Sequence, residues 1–212
     1  MHMLRLALLI LLVPAAALAK GEKGGDFDYY VLSLSWSPSW CALEGRSRGA
    51  RQCTSGSGFG WVLHGLWPQY ENGWPSYCLT GTHDPSRRET RAMADIMGSP
   101  GAAWHQWKKH GRCSGLPPED YFARVRAAYA AIKRPEILRK LRHPVRLPAS
   151  VIEEAFLEAN PDLEPDMITI TCREGRIQEA RICLTKDLEP RRCGADVSRD
   201  CRLENALLAP VR

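Results

Sequence analysis

The chain has 212 residues, of which 44% are hydrophobic and 25% are charged, and its formal net charge is +5 at pH 7. This length excludes a second large domain, because one ordinary domain with a sizeable core uses most of such a chain. The mild positive charge is compatible with a polyanionic substrate, but many soluble domains carry as much charge for solubility alone.

The first 19 residues have the three parts of a secretory signal: a short start with Arg5, an apolar run from Leu6 to Val13, and the small-x-small site Ala17-Leu18-Ala19. The alternatives are a membrane anchor or a buried helix, but the run is shorter than the ~20 residues that span a bilayer. We therefore expect residues 20–212 to be exported to the periplasm or the medium as a single domain, free of the membrane.

The mature part holds an even number of cysteines, which in an exported chain predicts a disulfide framework. They are Cys41, Cys53, Cys78, Cys113, Cys172, Cys183, Cys193 and Cys201. A structural zinc site is the alternative, although the chain has no Cys-x-x-Cys pair.

In chain order, residues 26–36 predict a strand, because they are rich in aromatic and β-branched residues and Leu32, Leu34 and Trp36 alternate with serines. Residues 38–59 predict a surface loop. A second strand is predicted over 60–66, with His64 on it or at its end. Helical spacing follows in 85–97 and in 102–110, where Gly111 is a candidate C′ glycine.

Three further helices are predicted over 118–132, 135–141 and 149–159, and the tail predicts a hairpin of residues 167–171 and 175–185. Strands thus surround a helical middle. We expect one α+β domain with a central, mainly antiparallel sheet that is flanked by helices and stapled by disulfides.

Two segments concentrate polar and aromatic side chains: residues 64–68, His-Gly-Leu-Trp-Pro, and residues 104–113, Trp-His-Gln-Trp-Lys-Lys-His-Gly-Arg-Cys. On a helix, positions 105, 106, 109 and 110 lie within an arc of ~140°, since each residue advances ~100°. Four side chains are therefore expected to face one cleft: His105, Gln106, Lys109 and His110.

Less specific interpretations apply to several of these residue types. His83 and His143 are expected to be solvated bystanders. His105 and His110 are an alternative zinc pair, but their spacing is i, i+5 rather than the i, i+4 of helical metal sites. Tryptophans at 61 and 107 are expected in the core, whereas Trp67 and Trp74, in loop positions beside His64, are candidates for stacking on a base.

Two histidines and a lysine suit phosphodiester cleavage. One imidazole can accept a proton, another can donate one, and a fixed cation can stabilise the anionic phosphorus. RNA is the expected substrate, because its 2′-hydroxyl is an internal nucleophile that needs no metal-activated water.

The two histidine segments resemble the active-site motifs of the ribonuclease T2 family, roughly HGLWP and HEWxKHGTC, in the family's order and spacing. Residues 30–41 resemble its first strand, and residues 181–190 resemble the closing hairpin of its bacterial members. The resemblance covers most of the mature chain. It implies an endoribonuclease that acts on single-stranded RNA with low base preference and without a metal or other cofactor, and we expect a monomer.

Carried over by position, the resemblance implies that His110 accepts the 2′-hydroxyl proton and that His64 protonates the departing 5′-oxygen. The product would be a 2′,3′-cyclic phosphate, which is then hydrolysed to a 3′-phosphate. His105 would hold the phosphate, Lys109 would stabilise the transition state, and Trp67 would stack against a base. The implied disulfides are Cys78–Cys113, Cys172–Cys201 and Cys183–Cys193, with Cys41–Cys53 as the remaining pair.

The chain departs from the family pattern at four positions. Gln106 replaces the motif glutamate, Arg112 replaces a threonine, Gln69 stands where some members have an acidic residue, and Ala102 replaces an aromatic one. We expect Gln106 to donate to a phosphate oxygen, and we expect the missing carboxylate to move the pH optimum. The alternatives are an impaired relative that binds RNA or a protein partner, and a metal-dependent hydrolase.

Overall fold

The computed structural model describes residues 22–211, so the predicted signal segment, residues 1–19, lies outside the described residues. The strands are β1 (Tyr29–Trp36), β2 (Trp61–Gln69), β3 (Val145–Leu147), β4 (Ile168–Arg173), β5 (Arg176–Leu184) and β6 (Ala206–Leu208). The α-helices are α1 (Ser37–Trp40), α2 (Arg87–Ala92), α3 (Ala94–Met97), α4 (Pro100–Lys109), α5 (Pro118–Ala131), α6 (Glu136–Arg139) and α7 (Ser150–Ala159).

The strands form one sheet in the order β2-β1-β5-β6-β3. Strand β4 lies outside this order and pairs with β5. Every pairing is antiparallel except that of β5 with β6, which is parallel and joins Arg176 to Leu207. The expected α+β class with a mainly antiparallel sheet is therefore confirmed.

Alternation along β1 separates the two faces of the sheet. Leu32, Leu34 and Trp36 are completely buried in the main core, where Trp36 packs against Trp61 and Trp61 packs edge-on against Phe156. The serines between them face the other way. Because serine is small, this second face has room for larger polar side chains from the neighbouring strands.

The predicted hairpin is present as β4 and β5. Its turn residues Glu174 and Gly175 have φ of 50° and 72°. Positive φ at both central residues gives the twist that a tight antiparallel hairpin requires. The turn also fixes the pairing of β5, which carries part of the site described below.

Two predicted elements differ from the structure, and two short strands were not predicted. Residues 38–59 are not a plain loop, because α1 continues into a π-helical turn (Cys41–Gly45) and a 3-10 turn (Arg51–Cys53) follows. The helix expected over 85–97 is divided into α2 and α3 at Met93. The strands β3 and β6 were not predicted, since three residues are too few to display an alternation.

Four disulfides cross-link the described part of the chain: Cys41–Cys53, Cys78–Cys113, Cys172–Cys201 and Cys183–Cys193. These are the pairs that the family resemblance implies. Because no cysteine remains free, the alternative of a cysteine-held zinc site is wrong. Within residues 22–211, no helix combines the length and apolar composition that a membrane span requires.

Candidate active site

A β-bulge directs His64 out of the sheet. In the pairing of β1 with β2, Ser33 lies opposite Gly65 and Leu34 lies opposite Leu63, so His64 is the extra residue of β2. A bulge changes the direction of a side chain and shifts the alternation beyond it. The His64 side chain is 45% exposed, although its neighbours in β2 are buried.

Helix α4 supplies most of the second histidine segment. Ser99 caps its first turn by accepting a hydrogen bond from the Ala102 amide at 3.1 Å, and Pro100 occupies the first helical position. Gln106 and Trp107 point inward, whereas His105 is exposed and Lys109 is partly so. The helix therefore places Gln106 inside the protein and leaves His105 and Lys109 accessible to solvent.

The end of α4 differs from the sequence prediction. The helix ends at Lys109, and His110 has φ −123°. The prediction that the helix includes position 110 was therefore wrong. Nor is Gly111 a left-handed C′ glycine. A Cβ at Gly111 would lie 2.6 Å from the Trp107 ring and 2.8 Å from Tyr121, so close packing requires glycine there. This packing holds His110 in place at only 4% exposure.

Trp67 stands between the two histidines. Its ring centroid is 5.1 Å from that of His64, edge-on, and 5.2 Å from that of His110, which is stacked at 28°. Its indole N–H donates to Oε1 of Gln106 at 2.8 Å. Trp67 lies on β2 rather than in the expected loop, and as a packed spacer it fixes the relative placement of the two imidazoles.

The expected site residues therefore converge, with one exception. Trp67 contacts both His64 and His110, and His105 lines the same cleft as His64. Lys109 is the last residue of α4 and directly precedes His110. Trp74 is 55% exposed, in the segment after β2, and has no hydrogen bond or ring contact to these histidines among the described residues.

Two site residues were missed by the sequence reasoning: Glu179 and Arg181 on β5. Glu179 is 2% exposed and its Oε1 lies 2.5 Å from Nδ1 of His64. Arg181 donates to Oε2 of Glu179 from two nitrogens, at 2.9 and 2.7 Å. The signal in the sequence was weak, because Glu179 and Arg181 are two of four polar residues in the nine-residue strand Arg176–Leu184.

A second β-bulge explains why Glu179 was not predicted as a site residue. In the pairing of β4 with β5, Cys172 lies opposite Ile177 and Thr171 lies opposite Glu179, so Gln178 is an extra residue. Strict alternation would put Glu179 on the same face as the core residue Ile177. The bulge moves it to the face of His64, opposite Ser35 of β1.

His110 and His64 have different electrostatic environments. Burial, followed by the charges of Lys109 and His64, lowers the pKa of His110 to about 3, and its buried Nδ1 has no hydrogen-bond partner within residues 22–211. Partial desolvation and Lys109 also lower the pKa of His105. Burial would raise the pKa of Glu179, but the hydrogen bond and charge of His64, together with Arg181, hold it at about 2.

An open cleft of about 1300 Å³ is lined by His64, His105, Gln106 and Glu179. Trp67, Lys109 and His110 lie next to these lining residues rather than among them. The cleft wall also includes four arginines: Arg48, Arg51, Arg91 and Arg173. Across residues 22–211, no three His, Cys, Asp or Glu side chains are grouped as ligands for a metal ion. One neutral and one carboxylate-bound imidazole beside a lysine can exchange protons with an anionic substrate.

The remaining predicted positions lie apart from this centre. Arg112 donates to Asp84 at 2.6 Å, and this bond lowers the pKa of Asp84, followed by the bond from Trp107. Gln69 is buried and donates to its neighbour's carbonyl. His83 and His143 are exposed, and the tryptophans at 61 and 107 are in the core, as expected.

Residues 27–193 match the sequence model of the ribonuclease T2 family. A ribonuclease of Aeromonas hydrophila is 46% identical over 107 residues, which are 50% of this chain and 46% of that protein. A probable ribonuclease of Haemophilus influenzae is 34% identical over 122 residues, 51% of this chain and 44% of that protein. This chain thus spans about half the length of the curated relatives it matches.

The fold has solved counterparts as well. An RNase-related protein from Calystegia sepium superposes with a TM-score of 0.65 at 21% identity, over 87% of this chain and 97% of that one. At this identity the likeness concerns the fold alone. Together with the family match over residues 27–193, it leads to one conclusion. The chain belongs to the ribonuclease T2 family.

Proposed function

We propose that this protein is an exported endoribonuclease that cleaves single-stranded RNA by transphosphorylation, without a metal ion and with low base preference. The observation that carries the proposal is the pair of unlike histidines on the two sides of Trp67. His110 is buried and has a pKa of about 3, whereas His64 is half exposed and bonded to a buried carboxylate. Such a pair provides one base and one acid at the same pH.

The contacts of each imidazole ring indicate which of its nitrogens can transfer a proton. Nδ1 of His110 is buried, so Nε2 is the nitrogen that can accept the 2′-hydroxyl proton. Nδ1 of His64 is bonded to Glu179, so Nε2 is the nitrogen that can donate to the 5′-oxygen. The 2′-oxygen attacks the adjacent phosphorus, the bond to the 5′-oxygen breaks, and a 2′,3′-cyclic phosphate forms. Water then opens this ring to a 3′-phosphate while the two histidines exchange roles.

Three neighbours are assigned to the phosphate. Lys109 is the cation beside both His105 and His110, and it would stabilise the charge that develops on the pentacovalent phosphorus. His105, exposed at the cleft, would bind a phosphate oxygen. An indole N–H can only donate, so the Gln106 oxygen faces Trp67 and its NH2 group is left to donate to phosphate.

Low base preference is supported by the surroundings of the site. One face of Trp67 stacks on His110, and the guanidinium of Arg181 lies 5.5 Å from its ring centroid, so a base would contact only the remainder. Gln69 is buried, and Ala102 brings no aromatic ring to the cleft. Trp74 remains a candidate for a second base contact because it is exposed. The arginines of the cleft suit a polyanion without distinguishing its bases.

The test incubates purified protein in EDTA with an RNA, with DNA of the same sequence, and with the RNA bearing 2′-O-methyl groups. We expect cleavage of the unmodified RNA alone, with 2′,3′-cyclic phosphate ends. His64→Ala and His110→Ala should each reduce the rate by about 10²–10⁴-fold, and His143→Ala, an exposed control, should not. RNA binding without cleavage would favour the impaired relative, and loss of activity in EDTA would favour a metal-dependent hydrolase.

Export and oligomeric state need separate measurements. The apolar run and Ala17-Leu18-Ala19 support removal of the signal, so protein recovered from outside the cytoplasm should begin near Lys20. We propose a monomer, which size-exclusion chromatography with light scattering tests directly. Recovery of the protein only in the cytoplasm, with its first residues intact, would contradict export.

A further inference from the structure

A buried carboxylate stands behind His64, and neither histidine motif contains it. Both oxygens of Glu179 are engaged. Oε1 lies 2.5 Å from Nδ1 of His64 and accepts from the Ser35 hydroxyl at 3.3 Å, while Oε2 accepts two hydrogen bonds from Arg181. With 2% exposure and partners on both oxygens, the carboxylate cannot rotate freely.

We infer that Glu179 is a positioning residue, which holds His64 in the tautomer and orientation needed to protonate the leaving 5′-oxygen, and that Arg181 holds Glu179. This inference rests on the proposed function, because it concerns the acid step of that reaction. An ionised carboxylate only accepts hydrogen bonds, so Nδ1 of His64 must carry a proton. Nε2 then faces the cleft and carries the proton that is transferred.

Arg181 keeps the charge balanced through the reaction. Before transfer, Glu179 lies between the His64 imidazolium and the Arg181 guanidinium. Once His64 has given its proton to the 5′-oxygen, the ring is neutral, and a buried carboxylate without a cation would be strongly destabilised. Because Arg181 remains bonded, Glu179 stays ionised, and the ring can be reprotonated without disruption of the sheet.

The pH dependence follows from the charges around His64. Glu179 and Arg181 face it from β5, and His105, Lys109 and His110 lie on α4 and its end. Glu179 is the anion of this group. Its removal leaves the cations Arg181 and Lys109 near the ring, which disfavours the imidazolium, so the basic limb of the pH–rate profile should move to lower pH.

The decisive experiment compares two substrates that differ in the leaving group. A dinucleoside monophosphate expels a ribose 5′-oxygen that needs a proton, whereas a nucleoside 3′-(4-nitrophenyl phosphate) expels nitrophenolate, which does not. Glu179→Gln should lower kcat for the first about 10–100-fold, with little change in KM, and change the second by less than about 3-fold. Glu174→Gln, the same exchange at an exposed position of the same hairpin, is the control.

Variants of the histidines separate the two proposals. The proposed function requires His64→Ala to lose activity on the dinucleotide selectively and His110→Ala to lose activity on both substrates; it fails if they do not. If they do, an equal loss with both substrates in Glu179→Gln, or full activity with an unmoved basic limb, overturns the positioning role. Glu179→Asp keeps a charge for Arg181 but draws the carboxylate back from His64, so it should show the same selectivity should the glutamine variant fail to fold.

Discussion

Gln106 replaces the motif glutamate but can make the same hydrogen bond to Trp67. Its oxygen accepts the indole N–H of Trp67 at 2.8 Å, and a Cβ at Gly65 would lie 2.5 Å from that oxygen. A glutamate would accept the same hydrogen bond in the same space. The two residues therefore differ in one negative charge beside the histidines and in the NH2 donor that only glutamine has, rather than in packing.

This difference predicts the behaviour of Gln106→Glu. The pKa of His110 and of His105 is lowered by desolvation and by Lys109, and a carboxylate at position 106 should oppose both effects and raise each pKa. Since His110 must be neutral to accept a proton, the acid limb of kcat/KM against pH should move to higher pH. Asn205→Asp adds the same charge at an exposed position that does not line the cleft and serves as the control. Coincident profiles of wild type and Gln106→Glu would contradict this account.

At the scale of single elements, α4 is anchored at both ends. Its start is capped by Ser99. Its last carbonyl, that of Lys109, accepts a hydrogen bond from the Tyr77 amide at 2.8 Å, next to the Cys78–Cys113 bridge. The site residues lie in the second half of the helix, so they depend mainly on the anchor at its end.

Ser99→Ala should therefore affect stability more than activity. Loss of one capping hydrogen bond costs about 1 kcal/mol in the free energy of unfolding, measured by urea denaturation, while kcat/KM should stay within about twofold. Ser86→Ala removes the corresponding cap of α2, which carries Arg91 of the cleft wall but none of the residues assigned to the chemistry, and should lower stability similarly. A large loss of kcat/KM confined to Ser99→Ala would mean that the start of α4 positions the site directly.

The secondary-structure elements also determine how much of the site can be predicted from the sequence. His64, His105, Lys109 and His110 lie in two short motifs, and the strand and helix that carry them have clear periodicity. Glu179 is 115 residues from His64, and the two meet because each strand has one extra residue beside them. A bulge is a property of strand pairing rather than of either strand, so alternation in the sequence could not predict which face Glu179 occupies.

At the scale of the whole molecule, the site joins three distant parts of the chain: β2, the end of α4, and β5. The sheet holds the first and third together through β1, which pairs with both. The end of α4 is not part of the sheet and carries Lys109 and His110. Its covalent link to the segment that follows β2 is the Cys78–Cys113 disulfide, which closes 35 residues of chain.

Removal of that bridge should reduce both stability and activity. Cys78→Ala/Cys113→Ala is expected to lose about 2–4 kcal/mol in the free energy of unfolding, because a cross-link lowers the entropy of the unfolded chain. Cys172→Ala/Cys201→Ala, which opens a loop of 29 residues, should lose a similar amount. Only the first variant frees the end of α4 relative to β2, so at a temperature where both remain folded it should show the larger loss of kcat. Equal kcat in the two variants would mean that the packing of Gly111 against Trp107 and Tyr121 is sufficient to hold His110 opposite His64.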